Sequence, residues 1–179
     1  MKKALLWFVG GLAGLILLAV VVLFCMGLRP HAGDTFVEVE IARPPDVVWA
    51  WITEPAKVKQ WVSGLAEVRE DTPGVEGVGA RETWVMDDPN MKKRIEIPAL
   101  VTAYDRPRAV SVHINAPGMF EGDLTYTLTP TATGTRLAQA GRWRYGDPLS
   151  RLMEPLITPH ANAKGREDFA KLKALAEAP

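Results

Sequence analysis

Residues 120–149 read FEGDLTYTLTPTATGTRLAQAGRWRYGDPL, and this stretch decides the fold. Leu124, Tyr126 and Leu128 alternate with threonines, as expected of a strand with one buried face and one solvent-facing side. A short loop ending at Gly134 leads into a second alternating run. The stretch therefore predicts a β-hairpin of two antiparallel strands, with a helix directly after it.

That helix closes the chain. Asp147 suits its N-cap and Pro148 its first position. Apolar residues then recur at helical spacing as far as Leu175, which predicts an amphipathic helix with one face to bury. Upstream, two short helices and several alternating segments separated by turn residues predict five further strands. This order predicts an α+β fold in which a curved antiparallel sheet of about six to seven strands wraps around the C-terminal helix.

An uncharged apolar run at residues 4–28 lies between two lysines and an arginine. As a helix rising ~1.5 Å per residue, it would extend roughly 37 Å, enough to cross a hydrocarbon core of about 30 Å. A signal peptide is the alternative, but its apolar core would be only about 7–15 residues long. A lipoprotein interpretation of Cys25 fits poorly, because the residue before it is the large Phe24. We therefore expect a retained transmembrane helix, a linker at residues 29–34 and one domain at residues 35–179.

Flanking charge predicts how this helix is oriented. Lys2, Lys3 and the free amine lie on one side of it, whereas Arg29 and His31 lie on the other. The excess places the N-terminus in the cytoplasm and the domain outside it, because cytoplasmic flanks carry more Lys and Arg. The chain is thus predicted to be a single-pass protein of the inner cell membrane.

Composition excludes several classes of function. The chain has 21 basic and 21 acidic residues, a balance that argues against nucleic-acid binding. Cys25 is the only cysteine, so no disulfide can form within the chain. The sequence contains none of the common catalytic, phosphate-binding or metal-binding motifs. We expect neither a metal nor a cofactor, and the oligomeric state is left open.

Four segments carry a resemblance to a known superfamily: residues 41–61 (IARPPDVVWAWITEPAKVKQW), 77–84 (GVGARETW), 101–112 (VTAYDRPRAVSV) and 126–137 (YTLTPTATGTRL). Their order and spacing resemble the Bet v 1/START-like superfamily, also called SRPBCC or helix-grip, and within it the polyketide cyclase/dehydrase-like group. The resemblance implies the helix-grip fold and a pocket for apolar ligands, without a shared catalytic set. The N-terminal apolar helix is a departure from most members.

A sheet gripping one helix predicts a cavity between the two. On the last strand, Gln139 and Trp143 share parity with Leu137 and oppose the arginines, so they should face inward. On the helix, His160 and Gly165 lie on the apolar stripe; glycine there would allow close approach or leave room for a guest. The predicted ligand-binding residues are His160, Gln139, Trp143, Met153, Tyr126 and Gly165.

Simpler interpretations compete with these assignments. A histidine beside the Pro159 position is often half-exposed, and aromatic residues at strand parity are core by default. Gln139 would equally suit the rim of a cavity. Glu82 would be a candidate acid or base if it faced inward, but strand parity does not decide between Glu82 and its neighbour Thr83.

Three functions follow from these features. The favoured one is a membrane-anchored domain that binds a small apolar molecule, such as a lipid, quinone or polyketide-like compound. The second is an enzyme of the cyclase or dehydratase type acting on such a molecule. The third is an assembly or stress factor whose domain binds another protein. Apolar lining with few candidate acids and bases favours the first.

Overall fold

A computed structural model describes residues 2–27, 33–88 and 93–178. Leu28, most of the predicted linker and Pro179 lie outside the described residues, so the domain boundaries stay a prediction. The elements are α1 (Lys2–Gly27), β1 (Thr35–Ile41), α2 (Pro45–Thr53), α3 (Pro55–Trp61), β2 (Leu65–Glu70), β3 (Arg81–Asp88), β4 (Lys93–Asp105), β5 (Ala109–Ala116), β6 (Phe120–Thr131), β7 (Gly134–Tyr145) and α4 (Pro148–Glu177).

The seven strands form one sheet in the order β1-β7-β6-β5-β4-β3-β2. Every neighbouring pair is antiparallel. Strands β2 to β7 follow one another in space as they do in sequence, and β1 pairs with β7. The predicted antiparallel sheet with a long C-terminal helix is confirmed.

The core lies on one face of the sheet, where the alternation of apolar residues predicted it. Leu124, Tyr126 and Leu128 of β6 are buried, and so is Leu137 of β7. The second half of α4 packs onto the sheet and is buried at Leu172 and at Phe169, among others. The α3 side chain Trp61 meets the Phe169 ring edge-on, with the ring centroids 5.9 Å apart. Helices α3 and α4 thus share one hydrophobic core with the sheet.

Polar side chains of α4 bind the free backbone edge of β1. Asn162 Oδ1 accepts a hydrogen bond from the Phe36 N–H at 2.9 Å, and Glu177 Oε1 accepts one from the Ala42 N–H at 2.7 Å. Lys173 Nζ donates to the Glu40 carbonyl. These bonds cover an edge that would otherwise offer unpaired groups to another strand. They also show that α4 runs along β1 in the same direction.

Helix α1 contains a segment, Trp7–Met26, that is long and apolar enough to cross a membrane. None of that segment is buried inside the domain, and it lies near the N-terminus, as a signal sequence also would. Within the described residues, α1 contacts α4.

Candidate functional site

Among the described residues, the larger of two prominent cavities lies between the short helices α2 and α3 and the sheet. Its volume is about 460 Å³. Strands β2 to β6 and the segment between β2 and β3 supply the rest of its wall. The apolar part of the lining comprises Trp49, Ala50, Ile52, Pro55, Val58, Val68, Val75, Ala80, Trp84, Val101, Val110, Val112 and Tyr126.

Strand alternation explains this wall. On β5, Val110 and Val112 point to the buried face, and on β6 Tyr126 does the same. Helix α2 adds Trp49 and Ile52, three residues apart and therefore on one face of the helix. The remaining lining residues are polar or glycine: Thr53, Glu54, Glu70, Thr72, Gly74, Glu76, Gly77, Arg81, Glu82, Tyr104 and Arg106. The wall is therefore more polar than that of a usual small-molecule pocket, which is largely apolar with a few polar groups.

Two hydrogen-bonded polar pairs line the same cavity. Trp84 Nε1 donates to Glu82 Oε2 at 3.0 Å, which places the Glu82 carboxylate on the cavity side of β3. Tyr104 donates its hydroxyl to Glu76 Oε1 at 2.8 Å, and Arg106 Nη1 lies 3.6 Å from that same oxygen. These groups belong to the polar part of the lining, which could orient a ligand.

Two tyrosines of the cavity have perturbed acidity. Burial, followed by the hydrogen bond to Glu76, raises the pKa of Tyr104. Burial also raises the pKa of Tyr126, and the nearby charge of Asp168 adds to that effect. Both hydroxyls are therefore neutral in the folded protein at physiological pH. The Tyr126 hydroxyl can donate a hydrogen bond to a ligand there, whereas the Tyr104 hydroxyl already donates to Glu76, and both are poor proton acceptors.

A buried carboxylate lies on α4. Asp168 accepts hydrogen bonds from the Ser63 hydroxyl and from the Ser63 N–H, the latter at 3.2 Å, and these tie α4 to the residues after α3. Within residues 2–27, 33–88 and 93–178, no group of three or more His, Cys, Asp or Glu residues is placed to hold a metal ion. Asp168 is accordingly assigned a structural role.

A smaller recess of about 230 Å³ lies between strands β1, β6 and β7 on one side and helix α4 on the other. It brings together three of the residues predicted from sequence, Gln139, Trp143 and Gly165. Trp143 Nε1 donates to Thr35 Oγ1 at 3.0 Å, and its ring meets Phe120 edge-on at 5.5 Å between centroids. The full lining is Thr35, Val37, Phe120, Gln139, Trp143, Tyr145, Ala161 and Gly165.

Gly165 allows the close approach that the sequence suggested. A Cβ added at this position would lie 2.9 Å from Cγ2 of the buried Val37, which is closer than side chains normally pack. The missing side chain therefore lets α4 lie against β1, and the recess remains beside this contact.

The predicted orientation of the first half of α4 is wrong. His160 and Met153 are exposed, and neither lines either cavity. The recess does lie between the sheet and the C-terminal helix, as expected, but no described residue of α4 lines the larger cavity. Tyr126 lies in that larger cavity, although its register partner Gln139 lies in the recess. Apolar residues occur on more than one face of α4, so helical spacing did not identify the face that meets the sheet.

A family model described as "Polyketide cyclase / dehydrase and lipid transport" matches residues 35–177. The chain belongs to this family. The match spans the whole of the domain from β1 to the end of α4, and it confirms the resemblance drawn from the four sequence segments.

Solved structures share the fold of this polyketide cyclase/dehydrase family member at low identity. Protein NE0264 from Nitrosomonas europaea is 17% identical, with 83% of this chain and 97% of that chain covered and a TM-score of 0.64. Protein CV1439 from Chromobacterium violaceum is 14% identical, with 82% and 99% covered and a TM-score of 0.66. Protein Ms6760 from Mycobacterium smegmatis is 20% identical, with 84% and 96% covered and a TM-score of 0.62. A comparison with curated protein sequences found no match.

The four segments that carry the family resemblance supply much of the larger cavity's lining. Their place in the wall of a cavity was not predicted from the sequence. Residues 41–61 contribute Trp49 and Ile52, residues 77–84 contribute Glu82, and residues 101–112 contribute Tyr104. The signal was therefore present, since each segment that carried the resemblance also contributes to the lining. Only Tyr126 among the predicted site residues lies in this cavity.

Proposed function

We propose that the domain binds a small apolar or amphipathic molecule in the larger cavity. The observation that carries this proposal is a volume of about 460 Å³ in which apolar and aromatic wall residues lie beside charged and hydroxyl side chains. Ligand pockets in proteins typically measure roughly 300–1,000 Å³ and combine apolar walls with a few polar groups. The Glu82–Trp84 and Glu76–Tyr104 pairs are the groups that would orient the polar end of the ligand.

Membrane attachment is the second part of the proposal. The apolar segment Trp7–Met26 would serve as a retained anchor, with the domain on the extracytoplasmic side. The ligand would then be one that a domain at the membrane surface can exchange with the bilayer, such as a lipid or a quinone-like molecule.

Probe binding tests the ligand site. A domain beginning at Asp34 is suited to this experiment, because solved relatives consist almost entirely of the matching region. An environment-sensitive apolar fluorophore should bind it and brighten. Replacing Val112, a buried residue of the cavity wall, with Phe should reduce this binding because the larger ring occupies ligand space.

Two control variants show which cavity is used. Val78→Phe makes the same change at an exposed position between β2 and β3 and should leave binding unaltered. Ala161→Phe fills the smaller recess and should also leave it unaltered. Loss of binding in Ala161→Phe with retention in Val112→Phe would move the site to the recess. Native mass spectrometry of the purified domain would then give the mass of any molecule carried from the cell.

An enzyme of the cyclase or dehydratase type is the second candidate, and one observation favours it. Glu82 presents a carboxylate to the cavity beside the ring of Trp84, where it could act as a general acid or base. Glu82→Gln should then retain probe binding and Trp84 contact but abolish any time-dependent mass change of a bound natural ligand. A ligand that stays chemically unchanged in the native protein would contradict the enzymatic function and leave ligand binding as the proposed function.

A further inference from the structure

The first half of α4 extends past the start of the edge strand. Asn162 is hydrogen-bonded beside Phe36 and Glu177 beside Ala42, so residues of α4 before position 162 continue beyond the first residues of β1. At ~1.5 Å per residue, residues 148–161 add roughly 20 Å in that direction. This end of the domain is the one that receives the chain from α1.

The outer face of this extension is apolar. Leu149, Met153 and Leu156 lie at positions i, i+4 and i+7 and therefore on one side of the helix. They are 67%, 38% and 54% exposed, respectively, although α1 contacts the same helix. A contiguous apolar strip of this kind is unusual on a surface that faces only water.

The same face changes character farther along the helix. His160 is exposed one turn after Leu156, and the exposed positions that follow include Lys164, Glu167 and Lys171. The apolar part of the face is thus confined to the end of α4 near α1, and the charged part lies over the body of the domain. This division is expected of a helix whose one end lies in an apolar environment and whose other end lies in water.

The short connection between α1 and β1 indicates that the environment of the apolar part is lipid. Helix α1 ends at Gly27 and β1 begins at Thr35, so at most about 28 Å of extended chain joins them at ~3.5 Å per residue. A Cβ on Gly33 would overlap the buried Glu154 carboxylate on α4, so the end of the connection lies against the extension itself. The apolar strip is therefore held close to the end of the apolar helix.

We propose that the first half of α4 is a second membrane contact, with Leu149, Met153 and Leu156 immersed in the interfacial region of the bilayer that α1 crosses. Amphipathic helices lie in this region with their apolar face toward the acyl chains. His160 then marks the level at which the helix leaves the lipid. The inference rests on the proposed anchoring of α1, and its partner is the lipid surface.

Spin-label accessibility in the full chain tests this contact. In a Cys25→Ser background, single cysteines at Leu149, Leu156 and Lys171 are labelled with a nitroxide and reconstituted into phosphatidylcholine–phosphatidylglycerol vesicles. Oxygen concentrates in lipid, whereas a nickel chelate stays in water. The ratio of oxygen to nickel accessibility should be shifted toward oxygen at positions 149 and 156 and toward nickel at 171.

Each other outcome overturns the inference. Nickel accessibility at 149 and 156 equal to that at 171 would place the strip in water. Protection from both reagents would show that protein covers it, either α1 or a second copy of the chain. Carbonate washing and flotation of the same vesicles separates this result from failure of the anchor. Chain retained with water-exposed labels refutes the α4 contact alone, and chain lost from the vesicles refutes both.

Discussion

The close contact between Gly165 and Val37 predicts that the effect of Gly165→Ala on stability changes sign when Val37 is replaced by Ala. Adding a Cβ at a helical glycine is normally favourable by about 1 kcal/mol. Here the added atom would lie 2.9 Å from Val37 Cγ2, which belongs to a stiff β-branched side chain that is 5% exposed. Overpacking of this kind costs about 1–3 kcal/mol, so Gly165→Ala should destabilise the domain by about 1 kcal/mol.

Removing the opposing methyl groups should reverse this effect. Val37→Ala by itself deletes two buried methyl groups and should cost about 2 kcal/mol. In that background Cγ2 is gone, so Gly165→Ala should stabilise the domain by up to about 1 kcal/mol through its helix propensity and by filling the space. The coupling energy between the two positions is then about 2 kcal/mol.

Urea unfolding of the domain beginning at Asp34, for the native sequence and the three variants, measures this coupling. Gly146→Ala is the matched control, because a Cβ there would meet nothing within 4 Å. It should change the free energy of unfolding by less than about 0.5 kcal/mol. Additive effects of the Val37 and Gly165 changes, within about 0.5 kcal/mol, would refute the close contact between α4 and β1.

Three further predictions concern pH and topology. The folded pKa of Tyr126 is raised by burial above the unfolded value of about 10, so its contribution to stability is complete below that pH and is lost as pH rises, by up to about 1.4 kcal/mol per pH unit. The free energy of unfolding, measured in urea, should therefore fall less between pH 9 and 11 in Tyr126→Phe than in the native sequence. Hydrogen bonds from the Ser150 side chain and from the Ser150 N–H, the latter at 2.8 Å, lower the pKa of Asp147, so its stabilising effect is present above the ordinary carboxyl range and is lost as pH falls through the lowered value. Asp147→Ala should therefore lower the thermal midpoint at pH 7 and change it less at pH 2. Alkaline phosphatase fused after Pro179 should be active and a cytoplasmic fluorescent reporter dark, whereas the reverse would place the domain in the cytoplasm.

Strand parity was reliable because it depends only on neighbours along the chain. Successive side chains of a strand point to opposite faces, so the alternation around Leu124 and Leu137 named buried residues directly. The same parity placed Gln139 and Trp143 together in the recess on the inner side of β7. The antiparallel order followed from short turns between consecutive strands, which again is local information.

The face of a helix that meets a sheet is not local information. Apolar residues surround much of the first half of α4, so spacing alone grouped the outward Met153 and His160 with the inward Gly165. What decides the rotation of the helix is its contact with β1, where Gly165 and Val37 meet and Asn162 binds the strand edge. Such a contact joins residues more than a hundred positions apart.

The larger cavity was likewise decided only by tertiary structure. Its wall combines α2 and α3 with strands β2 to β6, and no periodicity within one element reports the distance between two elements. The orientation of Glu82 was undecided in sequence because both registers of β3 left apolar residues on the inner face. Pairing with β4, which places Glu82 opposite the buried Ala99, selects the register that turns its carboxylate toward the cavity. Sequence alone thus determined the elements, their order and the apolar N-terminal helix, whereas packing between distant elements determined where a ligand can lie.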